Sequence, residues 1–302
     1  MRNVVLLDGQ PTLFDAVEFN DEIACIDVLY DLAFLLMDLW HRRLPSHANA
    51  VLNSYLIESR DWEGLSLLPL FLSCRAAVRA KTSATAASLQ REPEAARELQ
   101  QAAREYLDMA DLLLRREQPC VVAIGGFSGS GKSTLARGLA PLLGRIPGAV
   151  VLRTDEIRKQ LQGLSSLDRL EQDDYTPHAS EAVYATVRRR ACITARAGHS
   201  VIVDATFTDA RERTALEQVA ADTSVPFVGF WLEAGPATLI NRVERRQADA
   251  SDATTDVVRL QLAKGAGTVH WHQLDASETP DSILERARIC LAEQQVVTRP
   301  RA

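Results

Sequence analysis

The sequence predicts an α/β chain in two parts: a mainly helical first part with a β-hairpin, then a parallel five-stranded sheet flanked by helices. Three observations point there. From Cys120 onward, short apolar runs alternate with helical patterns, as successive β-α units require. Before that point apolar residues recur at helical spacing, most clearly in REPEAARELQQAAREYLDMADLLLRRE. The first apolar run leads directly into the glycine-rich GFSGSGKS, where a strand would turn into a helix.

Taken in order, two short β-type runs, 4–7 and 12–14, flank Asp8-Gly9, a dipeptide suited to a tight hairpin turn. Helical patterns follow at 24–43, halted near Pro45, then at 48–59, 67–82 and 93–117, where Pro119 closes the last. The third contains the basic phrase RAAVRAK. The strand-like runs are CVVAIGG, AVVLR, SVIVDAT, PFVGFWL and TVHWHQL, each followed by a helical pattern, the last ending near Glu293. The composition changes near residue 118, so the expected division is 1–117 and 118–302. That length suffices for two ordinary cores.

Composition bounds the function. Hydrophobic residues at 46% and charged residues at 25% belong to a soluble globular chain, and a formal charge of −6 gives no general attraction to nucleic acid. The five cysteines are scattered, odd in number and without a CxxC pair, which favours reduced thiols over disulfides or zinc. The start lacks the basic and apolar regions of a signal peptide. LYDLAFLLMDLW, the longest apolar segment, carries Asp31 and Asp38 and is too short to span a bilayer. A cytoplasmic location is expected.

GFSGSGKS, residues 126–133, fits G-x-x-x-x-G-K-[ST] in full. Gly126, Gly129 and Gly131 allow the backbone to curl so that successive N–H groups face phosphate oxygens, and the helix N-terminus adds partial positive charge. Nucleotide contacts are therefore expected from Gly126, Ser128, Gly129, Ser130, Gly131, Lys132, Ser133 and Thr134. Lys132 can reach the β- and γ-phosphates, and Ser133 offers a hydroxyl to Mg²⁺. Such a site also needs a carboxylate at the end of a strand, and Asp204 in SVIVDAT meets that form.

Asp155 in RTDEIRK follows the second run, which sets it on the sheet edge that carries the loop. There it can accept the proton of an attacking hydroxyl as well as cap its own helix, and Arg158, one turn later, can hold a polar or anionic acceptor. In NRVERRQADASDAT, Arg242 and Arg246 lie four apart on one helix face. They are better placed than Arg245 to neutralise a transferring phosphoryl group from a mobile flap. A solvated helix end rich in cations is the plainer reading. His270 and His272 around Trp271 read as ordinary strand residues, since no third metal ligand is near.

With these placed, residues from about 118 to 295 resemble the small P-loop kinases related to zeta toxins, gluconate kinase and the kinase part of polynucleotide kinases. The P-loop, the DxxR pair Asp155–Arg158 and the arginines before DASDA carry the likeness. It implies a P-loop NTPase fold with strand order 2-3-1-4-5, ATP and Mg²⁺ as cofactors, and Asp155 as base or substrate anchor. The acceptor is left open.

RNVVLLDGQPTLFDAVEFND followed by DVLYDLAFLLMDL resembles the C-terminal lobe of aminoglycoside phosphotransferase-like kinases. That likeness implies Asn3 and Asp15 as metal ligands and Asp31 as a buried acid bracing the catalytic loop. Those kinases place their base five residues before the Asn, which here falls upstream of Met1. The expectation is a truncated lobe whose two metal ligands are vestigial, with a recorded start inside a longer reading frame. The pairing of both parts resembles bacterial proteins described as fused phosphotransferase-like and ATP-binding proteins.

The expected function is transfer of the ATP γ-phosphoryl group to a small-molecule hydroxyl, catalysed by Lys132, Asp155, Arg158, Arg242 and Arg246, with Ser133 and Asp204 holding Mg²⁺. A nucleotide-dependent regulatory ATPase and a polynucleotide 5′-hydroxyl kinase are the alternatives. No membrane partner is expected.

Overall fold

The computed structural model of the chain describes residues 4–13, 20, 24–165, 168, 176–245, 251–296 and 299. They form two compact units. One takes Met1–Leu52 and Gly64–Arg115, the other Asn53–Glu63 and Arg116–Arg301.

The first unit opens with β1 (Val4–Leu7) and β2 (Gln10–Leu13), paired antiparallel with Leu7 opposite Gln10. Asp8 and Gly9 both adopt positive φ, +50° and +77°, the combination a two-residue type I′ turn needs. Helix α1 (Val28–His41) is capped by the Asp27 carboxylate, which accepts from the N–H groups of Leu29 and Tyr30. Helix α2 (Pro45–Ser59) begins in this unit, and α3 (Leu68–Leu89) and α4 (Pro93–Leu114) complete it. Leu29, Leu36 and Met37 of α1 are buried with Leu72 and Ala76 of α3. The Ser73 hydroxyl donates to the Ala110 carbonyl at 2.8 Å and ties α3 to α4. Helix α3 runs seven residues beyond its expected end at 82, because TSATAASL contains no breaker.

One expectation fails here. Asp31 is not a buried acid: its side chain is 78% exposed, with the Arg75 guanidinium 3.7 Å away. The buried carboxylate of α1 is Asp38, hydrogen-bonded by Arg42 at 2.9 Å. Asn3 and Asp15 lie outside the described residues.

The second unit is a five-stranded parallel sheet in the order β4-β5-β3-β6-β7, which is 2-3-1-4-5 counted within the unit. Its elements are β3 (Val121–Gly126), α5 (Lys132–Leu139), β4 (Val150–Arg153), α6 (Thr154–Leu161), α7 (Pro177–Arg196) and β5 (Val201–Asp204). Then come α8 (Ala210–Asp222), β6 (Phe227–Glu233), α9 (Pro236–Glu244), α10 (Thr255–Lys264), β7 (His272–Asp275) and α11 (Pro280–Glu293). Strands β3, β4 and β5 are buried along their whole length, which is why they read as continuous apolar runs rather than alternating ones. On one face Val122, Ile124, Ile202, Phe230 and Leu274 pack with Leu135 and Leu139 of α5 and Leu284 and Leu291 of α11. On the other, Trp271 stacks edge-on against Phe207 at 5.0 Å, and a Cβ at Gly229 would run into its indole. Trp271 and His270 precede β7 rather than lying in it.

The edge strand β4 is completed by a side chain from far upstream. Asn53 Oδ1 accepts from the Val151 N–H at 2.7 Å, and its Nδ2 donates to the Ala149 carbonyl at 3.3 Å. Gln160 Nε2 donates to the Ile57 carbonyl, and the Arg190 guanidinium lies 4.8 Å from the Trp62 ring centroid. Residues 53–63 thus act as an extra edge to the sheet unit, a piece that composition alone does not separate.

Candidate functional site

Parallel register brings the chemistry to one edge. Ile124 of β3 and Arg153 of β4 both align with Asp204 of β5, so the loop after β3, the start of α6 and the end of β5 converge at the carboxyl ends of the strands. The loop 126–131 curls through Gly129 at φ +85° and Gly131 at φ +93°, where only glycine is unstrained. A Cβ at Gly129 would also sit 2.6 Å from the Leu239 carbonyl oxygen, so the loop rests directly on α9. Gly131 delivers the chain into α5, whose first N–H groups and dipole face the loop. Lys132 Nζ donates to the Phe127 carbonyl at 2.9 Å, which holds the ammonium over the loop. Ser130 is fully buried, and its hydroxyl has no hydrogen-bond partner among the described residues.

The Ser133 hydroxyl donates to Asp204 Oδ2 at 2.6 Å. Arg153, which sequence reasoning missed, binds both: its Nη2 lies 3.2 Å from Ser133 Oγ and its Nε 3.4 Å from Asp204 Oδ2, while its Nη1 meets Glu156 at 2.8 Å. A buried arginine at this point neutralises the carboxylate and fixes its rotamer. Nothing in VVLRTDE distinguishes it from a strand-end cation, because its role depends on β4 lying beside β5.

Asp155 lies in the first turn of α6 and faces the same space; it does not cap the helix, whose N-cap is Arg153 with no side-chain cap. Burial pushes its carboxyl above the ordinary value; the Asp204 carboxylate adds to this, while a hydrogen bond with Ser251 and the charges of Arg153 and Lys132 oppose it. Arg158 is buried one turn on and donates to the Ser180 hydroxyl at 3.3 Å. These groups line one cavity of about 1400 Å³ with Lys132, Ser133, Asp204 and Arg242. Of the flap arginines, Arg242 is half-buried in that wall and Arg245 is exposed; Arg246 lies outside the described residues.

The remainder of the cavity wall comes from α7 and the loop after β5. Tyr184 has its phenol pushed up by burial and is hydrogen-bonded with Thr206. Arg188 is paired with Glu212, and Thr206 and Thr208 flank Phe207, a non-glycine residue at φ +50°. Arg213 secures that strained turn by donating to the Phe207 carbonyl at 2.7 Å and to the Thr268 carbonyl at 2.9 Å. None of these carries a spacing signal in the sequence.

Ser133 and Asp204 offer hard oxygen donors, a set that suits Mg²⁺ held mainly through phosphate oxygens and water. Among the described residues no cluster of three or more His, Cys, Asp or Glu is placed to hold a metal without such help. No helix of the described residues is long and apolar enough to cross a membrane.

Residues 121–267 match a family model described as an AAA domain. Uncharacterised proteins of Mycobacterium tuberculosis and Mycobacterium bovis are 33% identical over 279 residues, which is 91% of this chain and 54% of theirs. The chain therefore spans about half the length of the curated relatives it matches. Among solved structures, a gluconokinase from Sinorhizobium meliloti superposes with a TM-score of 0.41 at 22% identity, covering 59% of this chain and 94% of the other. An APS kinase from Mycobacterium tuberculosis gives 0.37 at 19%, covering 58% and 98%. A tunicamycin resistance protein from Deinococcus radiodurans gives 0.42 at 19%, covering 61% and 99%. The second unit carries the G-x-x-x-x-G-K-[ST] loop of residues 126–133 on a five-stranded parallel α/β sheet.

Proposed function

We propose that the chain is an ATP-dependent phosphotransferase that moves the γ-phosphoryl group to a hydroxyl of a small molecule. The observation that carries this is one cavity shared by the phosphate loop, the Ser133–Asp204 pair and the carboxylate of Asp155, with a polar wall of Arg158, Tyr184 and Thr206 left over for an acceptor. Backbone N–H groups from Gly129 to Thr134 would cradle the phosphates, and Lys132 would exchange its bond to Phe127 for the β- and γ-phosphate oxygens. Ser133 and Asp204 would hold Mg²⁺, which would neutralise phosphate charge. Asp155 takes the proton of the acceptor hydroxyl. Its raised basicity suits that task, because a stronger base drives proton transfer better than an ordinary carboxylate. Arg158 orients the acceptor, and Arg242 and Arg246 offset charge on the phosphoryl group in flight.

The first unit is proposed as a platform related to the C-terminal lobe of aminoglycoside phosphotransferase-like kinases rather than as a second catalytic centre. The hairpin with its Asp8-Gly9 turn and the α1 helix behind it support the likeness. A cytoplasmic location is proposed on the five free cysteines.

The test is a screen with γ-labelled ATP and Mg²⁺ against a metabolite library. Label is expected to move to a hydroxyl compound; Lys132→Ala should abolish transfer, and Asp155→Asn should lower it about 100-fold or more while nucleotide still raises the melting temperature. Label released only as inorganic phosphate would replace the reading with a regulatory ATPase. Label on an oligonucleotide end would make the acceptor a polynucleotide.

A further inference from the structure

Segment 251–261 touches both halves of the cavity. At its start, Ser251 is hydrogen-bonded with Asp155. The next residue, Asp252, lies 3.2 Å from Lys159 Nζ. Lys159 stands four residues after Asp155 on α6, so the two project from one face of that helix. Further along, Thr254 caps α10, and Val258 is fully buried beside Leu239 and Val243 of α9. At the end, Gln261 Oε1 accepts from the Ser128 N–H at 2.9 Å, and its Nε2 donates to Ser128 Oγ at 3.2 Å. One short segment thus joins the helix of the proposed base to the loop of the proposed nucleotide.

The ion pair near its start is buried, as are the pairs of Arg153 with Asp204 and Glu156. The Lys159 side chain is 1% exposed and that of Asp252 14%, whereas Arg115–Asp111 and Arg259–Asp256 lie largely in water. Exposed pairs contribute little to stability. A buried ammonium is costly to desolvate, and such a pair is often no more stabilising than apolar side chains of the same size. Its value here is directional: it fixes where residue 251 meets α6. The charged groups facing Asp155 come from other elements, Arg153 from β4, Lys132 from α5 and Asp204 from β5, and none of them belongs to the segment.

We propose that Lys159 and Asp252 are a positioning pair, which makes segment 251–261 a strap that transmits occupation of the phosphate loop to the helix carrying Asp155. Asp252 lines the cavity, and Lys159 is buried against it. The pair sets Ser251 against the Asp155 carboxylate, while Gln261 sets the loop, so that nucleotide and base are aligned together. This rests on the assignment of Asp155 as the base and of the loop as the nucleotide site.

Hydrogen exchange followed by mass spectrometry, on the full chain with and without a non-hydrolysable ATP analogue and Mg²⁺, tests it. In the unaltered protein the analogue should protect the loop, segment 251–261 and α6 together. In Asp252→Asn, protection should persist at the loop and disappear from α6. Hydrolysis of ATP with water as acceptor should fall about tenfold or more, while the affinity for the analogue stays within about threefold. Lys159→Met/Asp252→Asn removes both charges, so it should recover any lost thermal stability and yet remain uncoupled. Protection of α6 in these variants equal to that of the unaltered protein would overturn the strap, as would a turnover that recovers with stability in the double variant. Absence of protection at the loop in the unaltered protein would instead remove the nucleotide site itself, and the strap with it.

Discussion

At the scale of single residues, the candidate site is a set of groups whose charges are held apart from water and set against each other. Asp155 is the informative one. Burial raises its pKa, so the folded protein binds that proton more tightly than the unfolded chain does. Its contribution to stability is therefore fully present below the unfolded pKa and is lost as pH rises through the folded one. Activity should move the other way. The acid limb of the pH–kcat/KM profile is expected at a pKa above the ordinary carboxylate value, rising as Asp155 ionises, and that limb should vanish in Asp155→Asn; a limb at the ordinary value would remove Asp155 from the role of base. Gly129, Lys132, Ser133 and Asp204 were legible because each carries a residue type at a fixed spacing or at a strand end. Arg153, Tyr184, Arg213 and Gln261 were not. Their contacts with Ser133, Thr206, Thr268 and Ser128 respectively span 20 to 133 residues of sequence, and the fold brings them together.

At the scale of elements, the sheet was the most legible part. Strands buried on both faces need uninterrupted apolar runs, so β3, β4, β5 and β6 announce themselves, and their order was expected from the P-loop likeness. The short β7 was legible in existence but not in extent, since the apolar Trp271 belongs to the core beside Phe207 rather than to the ladder. The helix starting at Pro93 was legible in full at its N-terminus, where proline sits comfortably in the first turn. The edge of β4 was not legible at all. A strand there leaves backbone donors and acceptors to be satisfied, and the Asn53 amide takes two of them at once. Asn53→Ala should cost about 1–3 kcal/mol by leaving those backbone groups without their partner. Chemical denaturation would show it as a lower midpoint, with the loop and Asp204 untouched. An unchanged midpoint would mean that water replaces the amide without penalty.

At the scale of the whole chain, the change from helical to alternating patterns falls near residue 118, and the main stretch of the second compact unit starts at Arg116. What the pattern misses is that the unit also takes Asn53–Glu63, inside a segment that reads as ordinary helix. Helix propensity and periodicity describe a local segment, and they hold no information about which distant core a helix end joins. A fragment starting at Arg116 should accordingly melt at a lower temperature and scatter more light on heating than one starting at Pro45, because it exposes the β4 edge. Equal behaviour of the two fragments would show residues 53–63 to be dispensable.

The Asn53 contact has a further consequence for how such a protein is inherited. A gene that splits or recombines between the two halves would pass on a phosphate-binding part with an open flank, since its closing piece is encoded within the other half. Rearrangement at that joint is therefore penalised even if neither half needs the other's chemistry. Eleven residues encoded within the first half, Asn53–Glu63, belong to the second unit.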